Sequence, residues 1–159
     1  MHTLEMYRLD GRVALVTGGG HGIGRHMSIG IAEAGADVIV VGRKLEPLQE
    51  VAETIEAMGR RCWVLQADVS DTAAIDVLLA TVADRIERVD ILVNNAGMVW
   101  AAPTLDYPMS GWDKVFDLNV RGLFYLSQQV AKGMKEQGGG SIINISSISA
   151  WRCTTDAHE

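Results

Sequence analysis

The sequence has few cysteines and no long apolar run, and both shortages narrow the class of protein. Only two cysteines occur among 159 residues, Cys62 and Cys153, and their separation matches no metal-binding spacing. We therefore expect reduced thiols in a cytoplasmic protein and no metal site. No apolar run approaches the length of a membrane span, and the N-terminal residues lack the apolar core of a signal peptide.

Positive charge and linker-like composition are also scarce. The formal net charge at pH 7 is −6, and no basic patch interleaved with aromatic residues occurs, so we expect no nucleic-acid partner and no membrane partner. Internal repeats, low-complexity tracts and linkers are absent. A length of 159 residues suits one domain with its own core, so we interpret residues 1–159 as a single domain.

What the sequence does contain is a glycine-rich turn between a strand pattern and a helix pattern. Residues 13–24 read V-A-L-V-T-G-G-G-H-G-I-G, and Ile23, Met27 and Ile31 then recur at helical spacing. The free N–H groups and the dipole of the helix's first turn favour an anion above the strand end. Glycines let a pyrophosphate approach the backbone, so we predict a nucleotide phosphate there; the alternative is a plain turn.

Strand and helix patterns alternate five times along the chain. Alternation with short loops predicts an α/β fold, a doubly wound parallel sheet with helices on both faces. Ser70 or Asp71 is expected to cap the third helix, and a capping-box pattern of Ser110 and Asp113 to open the last one. The predicted strands cover about 12–17, 36–42, 61–67, 89–94 and 141–146. The helices for which both a first and a last residue are predicted cover about 22–34, 44–58 and 111–137.

Chemically distinctive residues follow every predicted strand. Because parallel strands end at one edge of a sheet, these residues are expected to line one crevice, where such folds bind ligands. They are Thr17 with the glycines, then residues 42–44, 68–69, 94–97 and finally 146–147.

On these residues the chain resembles the short-chain dehydrogenase/reductase family. The matching motifs are T-G-G-G-H-G-I-G at 17–24, D-V at 68–69, N-N-A-G at 94–97, N-V at 119–120 and I-N-I-S-S at 143–147. They stand in the family's order and cover essentially the whole chain. The resemblance implies a Rossmann-like sheet of strand order 3-2-1-4-5 and a hydride transfer between a nicotinamide and a ketone or secondary alcohol. Sugar acids, polyols and 3-oxoacyl compounds are the kinds of substrate it implies.

The same resemblance implies the cofactor contacts. Asp68 would accept a hydrogen bond from the adenine amino group beside the Val69 backbone, although Asp68 could instead cap a helix. Ala96 and Gly97 would let the ribose and nicotinamide approach the backbone. The residues expected to bind the cofactor are Thr17, Gly18, Gly20, His21, Gly22, Ile23, Gly24, Arg43, Lys44, Asp68, Val69, Asn95, Ala96 and Gly97.

Two residues carry the catalytic expectation that follows from the resemblance. Ser147 would hold the reacting oxygen, with Ser146 as the rival position. Asn119 would kink the long helix and hold a water in a proton relay, whereas without the resemblance it is an ordinary polar helix position. Asn94 is expected to tie neighbouring strands together.

The sequence departs from the family after Ser147. A Tyr-x-x-x-Lys segment is expected there, but none of the twelve following residues is Tyr or Lys, and Tyr7, Tyr107 and Tyr125 all precede Ser147. We expect this chain to be the front portion of a longer enzyme with little turnover of its own. The alternative is a non-catalytic dinucleotide-binding module or degenerate homologue. Tyr125 is expected in the core or at an interface.

The residues after the second strand bear on the choice of nicotinamide. NAD enzymes usually place an acid there, but this chain has Gly42, Arg43 and Lys44, and His21 in the glycine turn adds a donor. A guanidinium pairs well with a 2′-phosphate, so NADP(H) is favoured over NAD(H); solvated charges that begin a helix are the alternative. The missing acid also argues against a methyltransferase.

Two further expectations concern the substrate and the oligomer. Met98, Trp100, Tyr107 and Trp151 either border the substrate or pack as ordinary loop residues. By resemblance, the helix 111–137 would pair with its symmetry mate in a homotetramer or homodimer.

Overall fold

The computed structural model describes residues 3–148 and contains the predicted parallel sheet. Its five strands are hydrogen-bonded in the order β3-β2-β1-β4-β5, and all four pairings are parallel, which confirms the fold class and the order. The strands are β1 (Val13–Thr17), β2 (Asp37–Gly42), β3 (Cys62–Gln66), β4 (Ile91–Asn94) and β5 (Ser141–Asn144). The helices are α1 (Gly22–Glu33), α2 (Leu45–Ala57), α3 (Thr72–Arg85), α4 (Met109–Phe116) and α5 (Leu123–Glu136). Trp151 and Cys153, for which the sequence analysis made predictions, lie outside the described residues.

The core forms two layers because β1 is buried on both faces. Leu15 stands in register with Ile39 and Leu92, and these three side chains pack with α3 and α5. The next residue, Val16, stands in register with Val40 and Val93 and packs toward α2 on the other face. A strand that alternates between two apolar layers needs apolar residues at every position, which explains the continuous run in the sequence.

Most helices and strands begin or end one or two residues away from the predicted positions. Ser110 cannot cap the long helix, because that helix begins at Met109 and Ser110 lies inside its first turn. The capping-box prediction is therefore wrong: the N-cap is Pro108, with no side-chain hydrogen bond. At the third helix, Asp71 is the cap and accepts a hydrogen bond from the Ala73 amide at 2.9 Å.

The long helix is also less regular than a single element over 111–137. A π-helical turn, Asp117–Gly122, interrupts it between α4 and α5. One extra residue per turn changes which side chains face the sheet, and π turns of this kind are frequent at functional sites. Among residues 3–148, no helix combines the length and the apolar character needed to cross a membrane.

Buried carboxylates hold the strands together at the edge where they begin. Asp90 is only 3% exposed, and it accepts hydrogen bonds from Arg12 at 2.8 Å, from the Val13 amide at 3.0 Å and from Arg88 at 3.0 Å. Burial raises the pKa of Asp90, but these hydrogen bonds outweigh it and hold the pKa below its usual range. Asp90 thereby fastens the start of β1 to the start of β4.

Replacing Asp90 with asparagine tests this anchor. We expect Asp90→Asn to lower the free energy of unfolding at pH 7 by about 2 kcal/mol, because hydrogen bonds to a charged acceptor are replaced by weaker ones. Since the folded pKa lies below the unfolded value, the wild-type contribution is complete above about pH 5 and is lost as the pH falls toward the folded pKa. Urea denaturation across this range measures both effects.

The matched control is Asp84→Asn, since Asp84 is an exposed acid on α3. It should change the free energy of unfolding by less than about 0.5 kcal/mol at any of these pH values. An Asp90→Asn curve that keeps the wild-type slope between about pH 5 and pH 3 would show that Asp90 is no anchor.

Candidate functional site

A cavity opens at the edge of the sheet where the parallel strands end. Its volume is about 720 Å³, and residues after β1, β2, β3 and β4 contribute to its walls. The predicted cofactor residues in its lining are Gly18, Gly20, His21, Arg43, Lys44, Asp68, Val69, Asn95, Ala96 and Gly97. The structure therefore brings together most of the residues that the sequence analysis placed in one crevice.

The glycine turn lets helix α1 begin almost in contact with the end of β1. Gly18 has a φ of +65°, and a Cβ built on Gly24 would lie 2.2 Å from the Gly18 carbonyl oxygen. Only glycine permits this approach. His21 occupies the N-cap position and makes no side-chain cap hydrogen bond, so no side chain caps the first turn of α1. An anion in the cavity would find that helix end open.

Some predicted cofactor residues lie outside the lining of this cavity. Gly22 and Ile23 form the first residues of α1, and the Ile23 side chain is exposed. Gly24 is buried against Gly18. Their contribution to cofactor binding stays a prediction that rests on backbone groups rather than side chains.

Thr17 fixes the loop after β4 and does not line the cavity. It is 2% exposed, and its hydroxyl donates to the Val93 carbonyl at 3.3 Å. The same hydroxyl accepts hydrogen bonds from the Asn95 and Ala96 amides, both at 3.0 Å. The side chain predicted to touch the cofactor therefore positions the residues that form the cavity wall.

Asn94 has the structural role that was predicted for it. Its side chain is buried and donates to Ser127 Oγ at 2.7 Å and to Asn144 Oδ1 at 2.9 Å. These bonds join the ends of β4 and β5 to helix α5. Next to it, the Asn95 side chain donates to the Thr17 carbonyl at 3.0 Å and closes the gap between β1 and the loop.

Asp68 is held in place by Ser70, which the sequence analysis considered only as a helix cap. Asp68 Oδ1 accepts hydrogen bonds from the Ser70 amide at 3.0 Å and from the Ser70 hydroxyl at 2.7 Å. Asp71, not Asp68, caps α3, so the capping alternative for Asp68 is wrong. The available signal was Asp68 itself in a loop, because an Asp side chain commonly binds the backbone amide two residues further on; the Ser70 hydroxyl adds a second hydrogen bond.

The π turn places Asn119 against the loop that follows β4. Asn119 Oδ1 accepts from the Met98 amide at 2.9 Å, and its Nδ2 donates to the Met98 carbonyl at 2.8 Å. Both ends of the amide therefore bind one backbone residue. The irregular helix at Asn119 is what the resemblance implied and what helix propensity alone did not indicate.

Basic side chains stand at one end of the cavity. Arg43 and Lys44 are exposed and have no ion-pair partner within the described part of the chain, and His21 lies in the same lining. Gln66 donates to the Arg43 carbonyl at 2.8 Å and so ties the loop after β2 to the end of β3. The lining contains a single carboxylate, Asp68, which leaves the Arg43 end positive.

The aromatic residues proposed for the substrate side mostly pack within their own loop. The Tyr107 hydroxyl donates to the Trp100 carbonyl at 3.2 Å. The Trp100 ring covers Gly111, where a Cβ would lie 2.9 Å from it, and Lys114 Nζ stands 5.2 Å from the ring centroid. These contacts favour loop packing for Trp100 and Tyr107.

Ser147 lies three residues beyond β5 and is exposed. Its catalytic role and the choice between Ser146 and Ser147 stay predictions.

Tyr125 packs beside the core and donates to Asp76 at 2.7 Å, on the side of α5 that faces α3. Residues 3–148 contain no group of three or more His, Cys, Asp or Glu that could hold a metal ion.

Fold and site together define a doubly wound α/β domain with an open cavity at the carboxyl edge of its sheet. The model of the short chain dehydrogenase family matches residues 12–154, and the chain belongs to that family. The 2-dehydro-3-deoxy-D-gluconate 5-dehydrogenase of Dickeya dadantii is 40% identical over 150 residues, which cover 94% of this chain and 58% of the relative.

Solved structures show the same likeness. A gluconate 5-dehydrogenase from Burkholderia cenocepacia in complex with NADP and tartrate has a TM-score of 0.89 at 36% identity, covering 96% of this chain and 60% of that one. A 7 alpha-hydroxysteroid dehydrogenase complexed with NADH and 7-oxo glycochenodeoxycholic acid has a TM-score of 0.92 at 35% identity, covering 97% and 60%. The chain thus spans about three fifths of the length of the proteins it matches.

The Thr17 hydroxyl is the most testable contact of the site. We expect Thr17→Val, which keeps the shape but removes the acceptor, to lower the free energy of unfolding by about 2 kcal/mol, because two amides lose their partner. Urea denaturation measures this loss. Thr17→Ser keeps the hydroxyl and should cost only about 1 kcal/mol for the lost methyl group. Equal losses in the two variants would contradict the role of the hydroxyl.

Proposed function

We propose that this protein binds a nicotinamide dinucleotide, with NADP(H) preferred over NAD(H), and serves a hydride transfer to or from a ketone or secondary alcohol. One observation carries the proposal: a single cavity is walled by the glycine turn, Asp68, the loop after β4 and the cations after β2. Each of these groups suits a different part of a dinucleotide, namely the diphosphate, the adenine, the nicotinamide ribose and a 2′-phosphate.

The residues fit this cofactor chemically. Gly18 and Gly24 let α1 begin against the end of β1, and a Cβ built on Gly22 would meet nothing within 4 Å. A diphosphate can therefore approach the open end of α1, where the helix dipole favours negative charge. Asp68, with Oδ1 held by Ser70, can accept from the adenine amino group through its other oxygen. The nicotinamide, when bound, supplies or takes the hydride. Ser147 would orient the reacting oxygen of the substrate.

The preference for NADP(H) rests on the end of the cavity at Arg43. Arg43, Lys44 and His21 line the same cavity, no ion pair among the described residues involves Arg43 or Lys44, and the loop that carries Arg43 is held by Gln66. Similar structures hold either NADP or NADH, so the likeness alone favours neither cofactor. A 2′-phosphate would neutralise these cations, which a 2′-hydroxyl cannot do.

The substrate proposal follows the relatives' names. Two similar proteins are dehydrogenases of gluconate or of a dehydrated gluconate, so a sugar acid or its keto form is the first substrate class to try. The second candidate is a dinucleotide-binding protein without turnover.

The proposal includes a cytoplasmic location and a homo-oligomer formed through the long helix. An exposed apolar stripe at four-residue intervals supports the pairing, consisting of Trp112, Phe116, Val120 and Phe124, with the first two rings stacked at 4.2 Å. Two copies of such a stripe can cover each other about a two-fold axis. The mass in solution from sedimentation equilibrium tests this assignment, which a monomeric chain would contradict.

Cofactor binding and turnover are best measured on the same preparation. We expect the chain to bind NADPH, measured by calorimetric titration, because the cavity is preformed. Oxidation of NADPH is then followed by absorbance with keto sugar acids and 3-oxoacyl compounds. Binding with turnover supports the oxidoreductase and contradicts the non-catalytic alternative, and failure to bind either dinucleotide overturns both.

The cofactor preference has its own variant. We expect Arg43→Asp to weaken NADPH binding by roughly tenfold to a hundredfold, because a charge-assisted bond to phosphate is replaced by repulsion, with little loss of NADH affinity. Arg85→Asp, on an exposed position of α3, is the matched control and should leave both affinities unchanged. An equal preference for the two cofactors before and after the change would contradict NADP(H) selection.

A further inference from the structure

The π turn brings a helix backbone into contact with the backbone of the cavity wall. A Cβ built on Gly122 would lie 1.8 Å from the Val69 carbonyl oxygen and 3.0 Å from the Asp117 carbonyl oxygen. No side chain tolerates the first of these distances, so any substitution must displace the Val69 backbone or the helix. Gly122 is buried within the turn and has a φ of −64°, so space rather than backbone conformation requires the glycine.

The contact matters because Val69 and its neighbour Asp68 line the cavity. Ser70 holds Asp68 from one side, through the two hydrogen bonds to Oδ1. On the other side, the absence of a Cβ on Gly122 lets the Val69 carbonyl lie close to the helix. Three residues earlier in the same turn, Asn119 binds both backbone groups of Met98, which follows the Gly97 wall.

We propose that Gly122 is a positioning residue for the adenine end of the cofactor cavity. By allowing the π turn to rest on the Val69 carbonyl, it sets where Asp68 and Val69 stand. This inference rests on the proposed function, since it assigns the Asp68 end of the cavity to adenine. A side chain at position 122 pushes that wall inward or outward by about an ångström, enough to break a hydrogen bond to the adenine.

The test compares Gly122→Ala with wild type for two halves of the cofactor. We expect the affinity for ADP, measured by calorimetric titration, to fall roughly tenfold or more, which corresponds to one lost hydrogen bond. The affinity for reduced nicotinamide mononucleotide should fall less than about threefold, because Thr17 and Asn95 hold the loop at that end of the cavity independently of the π turn. A variant that was merely less stable would lose both affinities in proportion to its unfolded fraction.

Gly133→Ala is the matched control, because Gly133 lies on α5 with nothing within 4 Å of a built Cβ. It should leave both affinities unchanged. If wild type binds neither ADP nor NADPH, the proposed function is overturned, and this inference is overturned as well because it rests on that function. If wild type binds ADP and Gly122→Ala binds it equally well, the inference alone is overturned.

A second measurement needs no variant and covers the case in which Gly122→Ala does not fold. Bound ADP should reduce local opening at Val69 and, through the contact between Val69 and Gly122, in the π turn. Amide hydrogen exchange of residues 119–123 should therefore slow on ADP binding, while that of residues 130–136 at the far end of α5 stays the same. Exchange at 119–123 that is unchanged by saturating ADP would overturn the positioning role.

Discussion

The parallel pairing of β1 with strands on both of its sides is the constraint on which the site depends. β1 pairs with β2 over five residues and with β4 over three, so the chain leaves all three strands at one edge. The polar groups that line the cavity lie in the loops that leave the strands at this edge. The glycine turn, Arg43 and the loop after β4 are remote in the sequence, and they meet only because these strands run in the same direction.

Stability and function occupy opposite edges of this sheet. At the edge where strands begin, Asp37 and Asp90 are buried and fully engaged with arginines and backbone amides. At the edge where they end, Asn94 binds Ser127 and Thr17 binds the backbone of the loop after β4, while Arg43 and Lys44 are exposed. Structural bonds thus fix the walls, and the cations proposed to meet a phosphate have no ion-pair partner among residues 3–148.

The long helix shows how tertiary contacts override local regularity. Its sequence favours one continuous helix, yet the chain adopts a π turn where Asn119 and Gly122 meet the cavity walls. Departures from ideal patterns are expected at functional sites, because the tertiary contacts that they permit compensate for the local cost. The same helix carries the exposed apolar stripe of Trp112 to Phe124, so cavity and proposed interface share one element.

The sequence by itself determined the order of elements, the parallel sheet and the crevice at its carboxyl edge, since apolar period, glycine turns and alternation are local signals. Resemblance added expected roles for single residues such as Asn119. Only the tertiary structure decided that Thr17 supports the wall instead of lining it, that Ser70 holds Asp68, and that Gly122 rests on Val69. Each of these depends on which backbone groups from distant segments lie within 3 Å or so, and no pattern along the chain encodes that distance.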